Sequence, residues 1–250
     1  MRLRNKVALI TGASQGLGLA IARRFGLEGA LVFLGDLKED EGREAASELT
    51  SRGVRAWFIR LDVADEESWK AALTALIDQA GKLDILVNNA GINIRQPIEE
   101  MSVESLNKML AVNIRGPFLG IKHALPLMRR NGGGSIINMG SVCSLIGHKF
   151  TPEAYTTVKG ALSQLTRSVA VRYAKDNIRT NILCPSTVDT PLVQEMLKDP
   201  ERRQERLGEV PLGRLAGTED VAGAALYLAS DEAAFINGVA FPVDGGVTAW

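Results

Sequence analysis

Tyr155 and Lys159 stand four residues apart, a spacing that sets both side chains on one face of a helix. A phenol with its ordinary pKa of ~10 is a feeble base. A neighbouring ammonium stabilises the phenolate and lowers that value, so the pair can take a proton from an alcohol near neutral pH, or return one to an alkoxide. Taken alone, Tyr-x-x-x-Lys is far more often structural than chemical. Its weight depends on what else the chain places near it.

The first such feature is the turn Thr11-Gly12-Ala13-Ser14-Gln15-Gly16-Leu17-Gly18. It follows the apolar run Lys6–Thr11 and opens a segment of helical periodicity. Gly12 can take backbone angles closed to other residues. Gly16 lets the backbone approach a pyrophosphate, and Gly18 lets the helix pack near the sheet. The helix N-terminus offers free N–H groups to the phosphates. Three glycines alone are weak evidence; strand before, helix after and an acidic residue ending the next strand make the pattern specific for a dinucleotide. That residue is Asp36, whose carboxylate can accept from the adenosine ribose hydroxyls and would repel a 2′-phosphate. Neither Gln15 nor Leu37 is basic, so the turn favours NAD over NADP. The plainer reading of Asp36 is a turn cap.

The elements that must position these groups follow from periodicity and glycine punctuation. Strands are predicted over Lys6–Thr11, Leu31–Gly35, Val54–Leu61, Asp84–Val87, Ser135–Met139, Ile178–Cys184 and Val239–Val243. Helices are predicted from Leu17 to Gly29 and over Glu39–Arg52, Asp65–Ala80, Ser102–Arg130, Ala154–Lys175 and Glu219–Ala229. Asp65 is the expected N-cap of the third, and Gly116-Pro117 should kink or divide the fourth. Such alternation gives an α/β fold: one domain over residues 1–250, a Rossmann-like doubly wound parallel sheet of seven strands with helices on both faces. Residues 186–215 lie in a proline-rich stretch long enough to be a substrate lid. The charge run Asp199–Arg203 within it reads as a solvated helix face.

At this point the chain closely resembles the short-chain dehydrogenase/reductase family, in its short single-domain branch, over essentially its whole length. The glycine-rich turn matches TGxxxGxG, and Asn88-Asn89-Ala90-Gly91 matches NNAG. Asn113 falls where the family carries a catalytic asparagine. Ser141 with Tyr155–Lys159 matches its Ser…YxxxK signature, and Val243-Asp244-Gly245-Gly246 is typical of its end. The resemblance implies that Tyr155 is the general acid/base. Lys159 would lower its pKa and bind the nicotinamide ribose. Ser141 would hold the substrate oxygen, and Asn113 a water that relays protons from Lys159. It further implies a cofactor lined by Gly12, Ser14, Gln15, Gly16, Leu17, Gly18, Asp36, Leu37, Asn89, Ala90 and Gly91. Asp62 and Val63 would meet the adenine, and Pro185, Val188 and Thr190 the nicotinamide end. The family often has glycine where Ser186 stands, and the interval from Ser141 to Tyr155 is about one residue longer than is common.

The implied function is NAD(H)-dependent interconversion of a secondary alcohol and a ketone. Arg95, in the loop after NNAG, resembles an arginine of relatives that act on sugar acids and could hold a substrate carboxylate; the alternative is a solvated surface arginine. His148 either meets a polar substrate or faces water. A polyol or another hydroxy compound is equally open. The rival functions are an NADPH-dependent 3-ketoacyl-type reductase, disfavoured by Asp36, and a nucleotide sensor, which has no need of Asn113, Ser141, Tyr155 and Lys159 together.

Composition narrows the setting. The 250 residues are 46% hydrophobic and carry 29 basic against 29 acidic side chains. That is too apolar for a disordered chain, and without the basic excess of a nucleic-acid binder. No run approaches the ~20 apolar residues of a membrane helix, and the start reads as no signal peptide. Cys143 and Cys184 have neither disulfide-framework nor metal-ligand spacing, and Cys143 reads as an apolar filler. His123 reads as structural. The expected setting is cytoplasmic, with no metal. By family analogy the chain forms a homotetramer, with Trp250 packed at a subunit contact.

Overall fold

The computed structural model describes residues 1–249, so the placement expected for Trp250 lies outside them. The first half runs β1 (Val7–Thr11), α1 (Gly16–Leu27), β2 (Leu31–Asp36), α2 (Glu39–Ser51), β3 (Arg55–Arg60), α3 (Glu66–Ala80) and β4 (Ile85–Asn88). Then come α4 (Val103–Leu110), α5 (Gly116–Arg130), β5 (Gly134–Met139), α6 (Glu153–Tyr173) and β6 (Ile178–Pro185). The chain closes with β7 (Val188–Asp189), α7 (Pro191–Met196), α8 (Pro200–Gly208), β8 (Ala216–Gly217), α9 (Thr218–Ala229) and β9 (Ala240–Val243).

Seven strands form one parallel sheet in the order β3-β2-β1-β4-β5-β6-β9, and β7 pairs with β8 apart from it. Alternation along each strand assigns the two faces. Ala8, Ile10, Val32, Leu34, Ile85 and Val87 pack with residues of α1, α2 and α9. Leu9, Phe33, Leu86 and Ile136 pack with Trp69, Leu73 and Leu76 of α3 and with the buried side of α5. A sheet buried on both faces needs the near-continuous apolar runs that these strands show. The order reverses between β1 and β4, and the crevice at such a switch point lies outside the carboxyl ends of the strands. The turns after β1 and β4 meet there.

Two segments add to the sequence expectation. Residues 103–130 divide just before Gly116-Pro117, without a break in the chain of helical turns: Ala111–Arg115 form a π-turn between α4 and α5, and the Gly116 N–H reaches back five residues to the Ala111 carbonyl. Pro117 has no N–H for the Asn113 carbonyl, and the extra residue of the π-turn absorbs that mismatch without a break. Residues 186–215 hold more structure than a lid loop: α7, α8 and the short β7–β8 pair. Asp199 caps α8, its side chain accepting from the Glu201 and Arg202 N–H groups at 3.0 and 3.4 Å, so the charge run lies on a helix. Asp65 caps α3 through the Ser68 N–H at 2.8 Å. Among the described residues no helix is long and apolar enough to cross a membrane, and no group of side chains could hold a metal.

Candidate active site

Thr11 lashes the two switch-point turns together. Its hydroxyl oxygen accepts from the Asn89 and Ala90 N–H groups at 3.0 and 2.9 Å. The Asn89 side-chain amide donates to the Thr11 and Gly12 carbonyls at 2.9 and 3.1 Å. This leaves no room at Gly18, where an added Cβ would stand 2.2 Å from the Gly12 carbonyl oxygen. At Gly16, with φ +58°, a Cβ would meet nothing within 4 Å, because that backbone faces an open cleft. The cleft, about 510 Å³, is lined by Gly12, Ser14–Gly18, Asp36, Lys38, Asn89–Gly91 and Thr190. A close backbone approach at a helix N-terminus with no acidic residue in its first turn fits a pyrophosphate. The residues present therefore suit a dinucleotide.

Asp36 lies at the cleft's far end. One carboxylate oxygen accepts from the Ser14 N–H and hydroxyl at 3.0 and 2.8 Å, the other from the Lys38 N–H at 3.2 Å. It therefore caps the turn, and it also faces the cleft. Leu37 is half exposed and outside the lining. Asp62 and Val63 lie outside it too: Asp62 accepts from the Ala64 N–H at 2.9 Å, and Val63 packs under Gly116. Pro185 ends β6 opposite Val243. Lys38 is a lining residue that the sequence reading passed over.

A second pocket, about 200 Å³, opens beside the cleft, and Thr190 lines both. Its wall brings Ser141, Tyr155, Arg95, His148 and Val188 together. Ser141 is held at the end of β5, its hydroxyl oxygen accepting from the Cys143 N–H and its own N–H donating to the Ser144 hydroxyl, each at 3.3 Å. Beneath the pocket Lys159 is buried, 5.4 Å from the centre of the Tyr155 ring, and donates to the Met139 carbonyl at 2.7 Å. Burial lowers the Lys159 pKa to about 8. For Tyr155 the expectation of a lowered pKa does not hold in this structure. Burial drives it upward, Cys143 adds to that, and only Arg95 opposes them. The ammonium lies over the ring face and spends a hydrogen bond on Met139, so desolvation of the phenolate wins.

The Asn113 side chain acts as a tie. It is buried and fully engaged, donating to the Ile92 and Met109 carbonyls at 2.9 and 3.0 Å and accepting from the Ile92 N–H at 3.3 Å. It pins the loop after NNAG to the π-turn. A Cβ at Gly91 would stand 2.8 Å from its oxygen and 3.7 Å from Lys159 Nζ. A buried polar chain ties the floor together: Asn88 donates to Asn138 at 2.8 Å, Asn138 to Thr166 at 2.9 Å, and Thr166 to the Leu162 carbonyl at 2.8 Å. It links β4, β5 and α6.

The outer wall holds groups the sequence left open or missed. His148 does not face water: its Nδ1 is 2.9 Å from the Thr151 hydroxyl and its Nε2 is 3.4 Å from Glu209. Burial lowers its pKa, with the Glu209 carboxylate opposing. Arg206, on α8, is buried at 6% exposure and donates to the Phe150 carbonyl at 2.9 Å. The charge run Asp199–Arg203 stops short of Arg206, and nothing in the sequence marked this arginine as one that turns inward. Cys143 and Cys184 are free thiols, both buried. His123 pairs with Glu66 at 2.9 Å, away from the site.

The model of the family described as Enoyl-(Acyl carrier protein) reductase matches residues 12–248. The chain belongs to the short-chain dehydrogenase/reductase family. This short-chain oxidoreductase is 42% identical over 247 residues to the 2,5-dichloro-2,5-cyclohexadiene-1,4-diol dehydrogenase of Sphingobium indicum, covering 98% of this chain and 97% of the relative. It is 38% identical over 248 residues to the cyclopentanol dehydrogenase of Comamonas testosteroni, covering 99% of each. Among solved structures, a gluconate 5-dehydrogenase from Burkholderia cenocepacia J2315 in complex with NADP and tartrate superposes with a TM-score of 0.95 at 32% identity, covering 100% of this chain and 97% of that one. A short-chain dehydrogenase/reductase is an enzyme of the oxidoreductase class, and this chain is one.

Proposed function

We propose that this oxidoreductase interconverts a small secondary alcohol and its ketone with NAD(H), and that Tyr155 exchanges the proton. The observation that carries this is that the Tyr155–Ser141 pocket and the glycine-lined cleft share Thr190 in their walls. A nicotinamide held by the cleft residues would supply the hydride acceptor or donor. In oxidation Tyr155, as phenolate, accepts the hydroxyl proton while Ser141 donates a hydrogen bond to the same oxygen. In reduction Tyr155, as phenol, returns that proton. Burial favours the phenol, which is ready for reduction; oxidation then needs an alkaline environment or a cation added by the bound cofactor. Lys159 sits under the ring as the nearest ammonium. Asn113 holds the loop that borders it.

Asp36 supports NAD, since its carboxylate faces the cleft where a 2′-phosphate would lie. Lys38 in the same lining, together with the NADP-bound relative, favours a second reading in which NADP is accepted. Part of the same proposal is residence in the cytoplasm and assembly as a homotetramer. The exposed Val103, Leu110, Phe118 and Val171 on α4, α5 and α6 support the assembly. The test follows NADH absorbance over a panel of cyclic alcohols, polyols and hydroxy acids, with NAD and with NADP. Turnover that prefers NAD and disappears in Tyr155→Phe, with NAD binding kept within a few-fold, is the expected result. Wild-type turnover in Tyr155→Phe removes the phenol from the mechanism.

A further inference from the structure

Arg206 is a guanidinium buried in the wall of the pocket that holds Tyr155. A buried cation is tolerated only with partners. Its bond to the Phe150 carbonyl is short, 2.9 Å, but its contacts to the two Glu209 oxygens are 3.4 Å each. Glu209 is shared with His148. The Arg206 Nε has no hydrogen-bond partner among the described residues. In the lining of the same pocket, Arg95 is exposed and makes no side-chain hydrogen bond or ion pair among the described residues. Arg95 and Arg206 also repel one another, and Arg202 adds to the positive field. One carboxylate therefore faces two guanidiniums in this pocket, one buried and one unpaired, beside the phenol that handles the alcohol.

We infer that the substrate is a hydroxy acid whose carboxylate lies between Arg95 and Arg206 while its carbinol lies at Tyr155 and Ser141. This rests on the dehydrogenase reading above and narrows it. A guanidinium presents its donors as a planar fork matched to a carboxylate. Arg95 is unengaged, and Arg206 keeps a donor to spare. The anion brings the second negative charge that the wall lacks. The pocket, at about 200 Å³, is below the ~300–1,000 Å³ of drug-sized sites, so the acid is compact. Arg206 is the specificity determinant supplied by α8, and Glu209 orients it while holding His148. The alternative is a plain tether, with Arg206 doing no more than fastening α8 to the loop at Phe150.

The deciding experiment compares compact hydroxy acids with their methyl esters as paired substrates. It also measures malonate, a dicarboxylate with no alcohol to oxidise, by calorimetry on the NADH-bound enzyme. Wild type is expected to favour acid over ester by at least about 100-fold in kcat/KM and to bind malonate. Arg95→Gln, an exposed change that spares the core, and Arg206→Lys, which keeps the charge but loses the fork, are each expected to cut the acid-to-ester ratio at least about tenfold, mainly through KM for the acid. Arg206→Gln is read only if its unfolding transition matches wild type. Equal use of acid and ester by wild type overturns the inference and leaves the dehydrogenase reading intact. A fall in acid and ester turnover by the same factor in both arginine variants makes Arg206 a tether and overturns it too. Malonate binding that depends on Arg95, in an enzyme that oxidises no alcohol, keeps the anion site and overturns the dehydrogenase reading instead.

Discussion

Replacing Asn113 by alanine tests whether this side chain fastens the site or takes part in the chemistry. The substitution deletes two donors and one acceptor, leaving the Ile92 carbonyl, the Met109 carbonyl and the Ile92 N–H without partners. Each net hydrogen bond is worth ~1 kcal/mol, and a buried group left unmade costs ~1–3 kcal/mol. The 3.3 Å bond to the Ile92 N–H is the weakest of the three, so the sum is about 2–4 kcal/mol. In a chain of this length that lowers the melting temperature by about 4–16 °C. The assay is urea unfolding of wild type and Asn113→Ala, with NAD affinity and turnover measured on the folded protein. Loss of stability in this range, with weaker NAD binding as the Gly91–Ile92 loop loosens, is expected. Asn113→Asp should be at least as harmful, because a carboxylate cannot donate to the two carbonyls. A stability change below about 0.5 kcal/mol with collapsed turnover would refute the fastening role and return Asn113 to proton transfer.

Two further outcomes are expected. Gly18→Ala forces a Cβ to 2.2 Å from the Gly12 carbonyl. That clash costs ~1–3 kcal/mol, so thermal unfolding should move down and the NAD Kd up at least about tenfold. Gly16→Ala meets no atom, pays only left-handed strain of ~1–2 kcal/mol, and should lose NAD affinity while unfolding closer to wild type; matching behaviour in the two variants would contradict the cradle geometry. For Lys159 the folded pKa of about 8 lies below the ordinary lysine value of 10.5. Between these values the unfolded chain binds more protons, so stability rises with pH there. Lys159→Met should lack that rise, worth up to about 3 kcal/mol, as denaturant titrations from pH 7 to 10.5 will show; identical pH slopes would mean the lysine is not desolvated.

Most of the scaffold was legible because the signals were local. β-branched runs, glycine stops and the Asp65 cap act within a few residues, so the seven strands of the main sheet fall within one or two residues of their expected ends. Cleft residues Gly12 to Gly18 and Asp36 were legible for the same reason, since a turn between strand and helix carries its own sequence code. The π-turn at Ala111–Arg115 was not. Gly116-Pro117 marked the place but not the form: the turn comes with Asn113 reaching Ile92, 21 residues away in sequence, and helical periodicity is blind to such a tie. Arg206 was hidden because four basic and acidic neighbours on α8 give it the look of surface. Only the seating of α8 on the Phe150 loop turns it inward. The raised Tyr155 pKa was missed because spacing reports the nearest charge and says nothing of desolvation.

The chain of amides and hydroxyls from Asn88 through Asn138 to Thr166 has a consequence for how this molecule can change over generations. Apolar contacts are interchangeable: a leucine traded for a methionine leaves a sheet free to creep by fractions of an ångström. Complementary donors and acceptors accept one alignment and penalise its neighbours. The three partners key the strand that ends in NNAG, the strand that ends in Ser141 and the helix that carries Tyr155 and Lys159 to one another. Drift in the surrounding hydrocarbon can then accumulate while phenol, hydroxyl and cofactor loop keep their mutual distances. The stretch between β6 and α9 lies outside this chain of bonds, so it can be rewritten for a new substrate without re-aligning the machinery beneath it.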